Sequence, residues 1–273
     1  MPTIQINGAR LYYKEYGMGP STIVFAHALL FSGEMFRRQV QALSADYRCL
    51  TFDFRGQGQS EVTRDGYDMN SLTEDAAALI EGLGCIPCHF VGHSMGSFVA
   101  MRLALRRPEW IKSLVLMAAS ADPQPRREVI QYWFMSLLAR QFGIGLVVNQ
   151  LMPIVFGRKF LDDPARASLR EDWRRRLIAN HPIGAARAVR GVITRPGLVS
   201  ELDQITVPTL IIAGEQDRAA PPARGLQIQA HISGSTFVGV PQAGHLFTVE
   251  QPEAVNSTLA GFFGRVQDRQ CRR

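Results

Sequence analysis

Gly92-His93-Ser94-Met95-Gly96 spells G-x-S-x-G, a spacing that lifts a serine hydroxyl clear of its own backbone. The pattern carries meaning only between a strand and a helix. An apolar, strand-like stretch, Cys88-His89-Phe90-Val91, precedes it, and a helix-like one, Ser97–Ala104, follows. A turn this tight leaves no room for a side chain two residues before or after the serine, which accounts for Gly92 and Gly96. A serine hydroxyl is a poor nucleophile at neutral pH. It needs a base to take its proton, and the base needs an acid to orient it.

On such an elbow the partners follow in the order serine, acid, histidine. Beyond Ser94 lie His181, His231 and His245. His245, in Ala243-Gly244-His245, follows the strand-like Thr236–Val240 and so sits at the carboxyl end of a parallel sheet, where ligands gather. It is the expected base. His181 falls in a helical stretch and His231 in or just after a helix. The expected acid is Asp217, in the turn Ala213-Gly214-Glu215-Gln216-Asp217 after the strand-like Thr209–Ala213. Glu215 stands earlier in that turn. Asp122, after the preceding core strand, is the alternative. Charge developing on the reacting oxygen needs N–H donors. Met95, next to the serine, and Leu29, in the loop His27-Ala28-Leu29 after Thr22–Ala26, are expected to supply them. Asp53-Phe54-Arg55-Gly56-Gln57-Gly58-Gln59-Ser60 reads as a scaffold turn. Its spacing is wrong for a dinucleotide fingerprint, and no helix opens on it.

These residues need elements to hold them. Strand-like and helix-like segments alternate over the first 120 residues: Arg10–Tyr16, Thr22–Ala26, Arg48–Phe52, the elbow strand and Leu114–Met117 as strands, Glu34–Leu43 and Ser71–Leu83 as helices. Ser71-Leu72-Thr73-Glu74 is expected to open its helix as a capping box. Alternation breaks from 121 to 200, where the pattern is helical, and resumes with Thr209–Ala213, Pro222–Ala230, Thr236–Val240 and Pro252–Phe263. The expected fold is α/β: a mostly parallel sheet flanked by helices, formed by 1–120 and 201–266. A helical insertion covers 121–200, and residues 267–273 form a polar tail.

A chain of 273 residues can bury one large core, or at most two modest ones. The net charge of +6 comes almost wholly from scattered arginines; Lys14, Lys112 and Lys159 are the lysines. Glu171/Arg175 and Asp172/Arg176 have helical i,i+4 spacing, which suits a solvated face better than a nucleic-acid surface. No apolar run reaches membrane-spanning length, and no leader pattern opens the chain, so the expectations are a cytoplasmic location and no membrane or nucleic-acid partner. Four cysteines do not make a disulfide framework at this length, and Cys85-Ile86-Pro87-Cys88 reads as incidental. No metal or cofactor is expected.

The His27 loop, the Asp53–Ser60 turn, the Ser94 elbow, the Gly214–Asp217 turn and Gly244-His245 together resemble the α/β-hydrolase superfamily over nearly the whole chain. The resemblance implies a Ser94-Asp217-His245 triad and a helical cap at 121–200 that roofs the pocket. Serine at 94 argues against the haloalkane dehalogenase and epoxide hydrolase branches, which use aspartate. Asp217-Arg218-Ala219-Ala220-Pro221-Pro222 and Phe156-Gly157…Phe160…Asp163-Pro164 are similar to 3-oxoadipate enol-lactonases and to broader esterases and acyl-homoserine-lactone hydrolases. Ala28 stands where the family usually has glycine, so the donor loop is expected to be shaped differently. The expected substrate is a small ester or lactone. Leu30, Phe31, Trp133, Phe134, Phe142, Leu146, Leu246 and Phe247 are expected to contact it. Carbon–carbon bond hydrolysis, perhydrolysis and a slow ligand receptor remain open alternatives.

Overall fold

The computed structural model describes residues 2–271. Eight strands form one sheet in the order β1-β2-β4-β3-β5-β6-β7-β8. They are β1 (Thr3–Ile6), β2 (Ala9–Tyr16), β3 (Thr22–Ala26), β4 (Arg48–Phe52), β5 (Cys88–His93), β6 (Ile111–Met117), β7 (Thr209–Gly214) and β8 (Thr236–Val240). β1 and β2 are antiparallel additions at one edge; from β4 to β8 every pairing is parallel.

The central strands are buried on both faces, so β3 and β7 read as apolar runs after an opening threonine, while β5 also buries His89 and His93. Alternation survives within those runs. Val24, Phe90, Leu114, Leu116 and Ile211 enter one core layer; Ile23, Phe25, Val91, Val115, Met117, Leu210 and Ile212 enter the other. On the first face lie α2 (Met69–Gly82), α3 (Met95–Arg106) and α9 (Pro222–His231). On the second lie α1 (Arg37–Leu43) and α11 (Pro252–Cys271), with the short α10 (Phe247–Glu250) beside them.

Between β6 and β7 run five helices: α4 (Arg126–Phe142), α5 (Val148–Val155), α6 (Arg158–Asp162), α7 (Ala167–Ile178) and α8 (Pro182–Ile193). On α7 Asp172 pairs with Arg176 at 2.8 Å, whereas Glu171 pairs with Arg174, not Arg175.

Three local expectations need correction. α2 starts at Met69, and Asp68 caps it by accepting the Asn70 and Ser71 N–H groups at 3.0 Å each. Ser71 is therefore inside the first turn, where its hydroxyl donates to Asp68, and it opens no capping box. β1 lies ahead of the first expected strand. α11 continues to Cys271 through most of the expected polar tail; Arg272 and Arg273 lie outside the described residues.

Candidate active site

Ser94 occupies the turn between β5 and α3 with φ 51° and ψ −108°. A left-handed serine stores backbone strain, on the order of 1–3 kcal/mol, and the packing around it must hold it there. The two glycines show how tight that packing is. A Cβ on Gly92 would be driven into the Gly96 carbonyl, and one on Gly96 into the Ala26 carbonyl of β3. The Ser94 N–H donates to Met117 O on the neighbouring strand at 2.8 Å. The Ser94 hydroxyl makes no hydrogen bond with any described residue.

His245 and Asp217 meet at the carboxyl ends of β8 and β7. His245 Nδ1 lies 2.8 Å from Asp217 Oδ2. A carboxylate accepts, so Nδ1 carries a proton, and in the neutral imidazole Nε2 is left with its lone pair. The other Asp217 oxygen accepts the Ala219 and Ala220 N–H groups at 2.8 Å each. Both residues are buried, so this carboxylate is tied at both ends. Asp122 sits elsewhere: its carboxylate accepts from Gln227 at 3.4 Å. Glu215 accepts from the Gln242 N–H at 3.3 Å. His181 caps α8, and His231 bonds the Gln227 carbonyl.

Leu29 and Met95 each present an N–H that finds no acceptor among the described residues. The loop carrying Leu29 is fixed on both sides. His27 is completely buried; its Nε2 accepts the Phe54 N–H at 2.9 Å and its Nδ1 donates to the Ala28 carbonyl at 2.7 Å. Burial pushes the His27 imidazole down to about 4, against the raising effect of the Ala28 carbonyl. Beyond Leu29, the Leu30 N–H donates to Gln57 Oε1 at 2.7 Å. Leu30, not Ala28, takes the left-handed conformation, with φ 66°. The loop therefore accepts alanine at 28 without strain at that position.

Three further side chains brace the site. Gln57, buried in the Asp53–Ser60 turn, bonds Leu30 and also directs its amide toward Met95 Sδ at 3.8 Å. His93 Nε2 donates to the His245 carbonyl at 2.7 Å. Glu250 accepts the Gly244 N–H at 3.0 Å and the Gly157 N–H at 3.0 Å, joining the histidine loop to the loop after α5. Desolvation pushes the buried Glu250 carboxyl up to about 7, against its two N–H donors. No motif spacing marks Gln57 or Glu250, and His93 fills a variable position of the elbow. Gln57 sits inside a turn the sequence singles out, and Glu250 lies in the helix just past the base.

A cavity lies beside Ser94 and His245. Leu29, Leu30, Val147, Leu151, Ile154 and Val155 supply much of its apolar wall. Gln124, Tyr132, Arg195 and Arg224 supply polar groups. The buried Arg195 guanidinium donates to Gln124 at 2.7 Å and to the Asp122 and Val192 carbonyls, and lies 3.9 Å from the Phe98 ring centre. Burial, then repulsion from Arg224 and Arg102, brings its pKa down to about 10.

Of the side chains expected to contact substrate, Leu30 alone lines this cavity. Trp133, Phe134, Phe142 and Leu146 are between 54% and 69% exposed. α4 turns its other face inward, through Tyr132, Met135, Ser136 and Ala139. Phe31 is buried against Trp173, with ring centres 5.7 Å apart. Leu246 and Phe247 are fully buried in the core behind the histidine loop. Residue type alone separates none of these positions.

The profile of the alpha/beta hydrolase family matches residues 23–258, a span that takes in the elbow, the acid turn and the histidine loop. The chain belongs to the alpha/beta hydrolase family. It is a hydrolase enzyme with the fold that its motifs imply. BpoC of Mycobacterium tuberculosis, whose assigned name proposes a non-heme bromoperoxidase, is 31% identical over 94% of this chain and 98% of its own. The enol-lactonase from Burkholderia xenovorans superposes with a TM-score of 0.90 at 27% identity, over 96% of this chain and 100% of that one. A thermophilic esterase from Thermogutta terrifontis superposes with a TM-score of 0.90 at 26% identity, over 97% and 99%.

Proposed function

We propose that this hydrolase cleaves carboxylic esters, including lactones, through an acyl-enzyme on Ser94. One observation carries the reading: His245, paired to Asp217 at 2.8 Å, lines the same cavity as Ser94 at its strained elbow. Ser94 Oγ attacks the acyl carbon while His245 Nε2 takes its proton. Asp217 holds the imidazole in the reactive tautomer and stabilises the imidazolium. The Leu29 and Met95 N–H groups receive the negative oxygen of the tetrahedral intermediate. Collapse expels the alcohol, which takes the proton from His245. Water then attacks the acyl-enzyme, His245 accepts its proton, and the acid leaves with Ser94 restored. In a lactone the alcohol stays tethered, so water must attack before that hydroxyl returns.

The helices of 121–200 act as the cap that selects substrate. Their apolar wall favours a hydrophobic acyl or ring portion. The similarity to a lactonase and an esterase supports this chemistry. A pH-stat screen of p-nitrophenyl esters, aliphatic lactones and an enol-lactone tests it: acid release from at least one ester or lactone is expected, and silence across the panel contradicts it.

The name of the Mycobacterium tuberculosis relative favours a second reading, with hydrogen peroxide replacing water at the deacylation step. Peroxide attacks the acyl carbon, the product is a peracid, and Ser94 is restored as before. Peracid yield from an acetate ester plus peroxide, measured against acetate yield, separates the two.

A further inference from the structure

The outer face of α4 is an apolar stripe that nothing covers among the described residues. Ile130, Trp133, Phe134 and Leu137 fall on one side of the helix by 3.6-residue spacing, and each is exposed, Ile130 by 68%. The opposite side, through Tyr132, Met135, Ser136 and Ala139, lines the cavity beside Ser94. Phe142 and Leu146 extend the exposed apolar surface past the helix end.

The charges of α4 that border the stripe have one sign. Arg126 and Arg127 flank its start and Arg140 its end; all three are exposed and take part in no ion pair among the described residues. Glu128, the only acid on α4, is turned inward to Arg224 at 3.2 Å. A second copy placed on this face across a two-fold axis would therefore bring arginines toward arginines, with no acid of α4 between them. An anionic lipid surface answers both features at once. Aromatic and aliphatic side chains enter the headgroup boundary while arginines meet lipid charge. This is a peripheral contact: no helix among the described residues is long and apolar enough to cross a membrane.

We propose that the outer face of α4 docks the enzyme on an anionic lipid surface, with the cavity-lining face of the same helix turned away from the lipid. The net charge of +6 acts in the same direction. The contact runs against the expectation of no membrane partner, which rested on the absence of a spanning segment. An amphipathic face needs no long apolar run.

Co-sedimentation of the full chain with phosphatidylcholine vesicles, with and without phosphatidylglycerol, tests the proposal. The chain is expected to pellet with the phosphatidylglycerol vesicles and to be released by raising salt. A Trp133→Ser/Phe134→Ser variant should bind at least about tenfold more weakly. Arg126→Glu/Arg127→Glu should lose about fivefold or more per arginine. Unchanged melting temperatures will show that both variants are folded. Equal binding to the two vesicle types, or binding indifferent to both variants, overturns the proposal. So does a dimer in size-exclusion chromatography that the Trp133→Ser/Phe134→Ser variant abolishes while vesicle binding is absent, because a second copy then covers the stripe.

Discussion

The Gln57 side-chain carbonyl accepts the Leu30 N–H at 2.7 Å, across 27 positions of chain. The same side chain directs its amide to Met95 Sδ. One buried glutamine thus links the loop of one proposed oxyanion donor to the residue that supplies the other. Replacing Gln57 with Leu keeps the bulk and removes the acceptor. The kcat for ester hydrolysis should fall about tenfold or more, with KM little changed, because the loss acts on the transition state. A rise in KM at constant kcat would assign Gln57 to substrate binding.

Asp217 and Asp122 are separable by one substitution each. Asp217→Asn leaves the shape intact but offers His245 Nδ1 the wrong partner. The kcat should fall by on the order of 10⁴-fold. Asp122→Asn, whose one side-chain hydrogen bond among the described residues is to Gln227, should stay within about twofold of the parent. The opposite ranking in a steady-state assay would move the acid to β6.

Glycine is required at 96 for space and at 8 only for conformation. Gly96→Ala forces a Cβ against the β3 backbone, which cannot yield. It should cost more than about 4 kcal/mol or prevent folding. Gly8→Ala has φ +74° but open space, so it should cost about 1–2 kcal/mol. Urea unfolding of both variants checks the contrast, and similar midpoints would mean the elbow has slack.

Glu250 makes stability depend on pH. Its carboxyl is raised to about 7 by desolvation, so between an ordinary 4.5 and about 7 the folded state keeps a proton that the unfolded chain has released. Its contribution is full below 4.5 and is lost as pH rises through 7. Glu250→Gln removes that titration. Relative to the variant, the parent should lose melting temperature from pH 5 to pH 8. A constant difference across that range would show that the carboxyl titrates normally.

Legibility in the sequence followed the physics of each residue. Gly92 and Gly96 were readable because backbone crowding permits no other residue. The strands were readable because a buried parallel sheet needs apolar runs, and Ile23–Ala26 of β3 and Leu210–Ala213 of β7 supply them. The places of Ser94, Asp217 and His245 just past the ends of β5, β7 and β8 were readable because each follows an apolar strand-like run. Trp133 and Phe134 were misread because an aromatic on a helix does not declare which side faces the cavity. The Gln57–Leu30 and Glu250–Gly157 links were invisible because they span 27 and 93 positions, and no local pattern records such a pairing.

Ser94 as nucleophile is tested by the rate of p-nitrophenyl butyrate hydrolysis by Ser94→Ala, purified away from other esterases and shown to melt like the parent. The kcat is expected to fall about 10³-fold or more. Turnover within tenfold of the parent would contradict it.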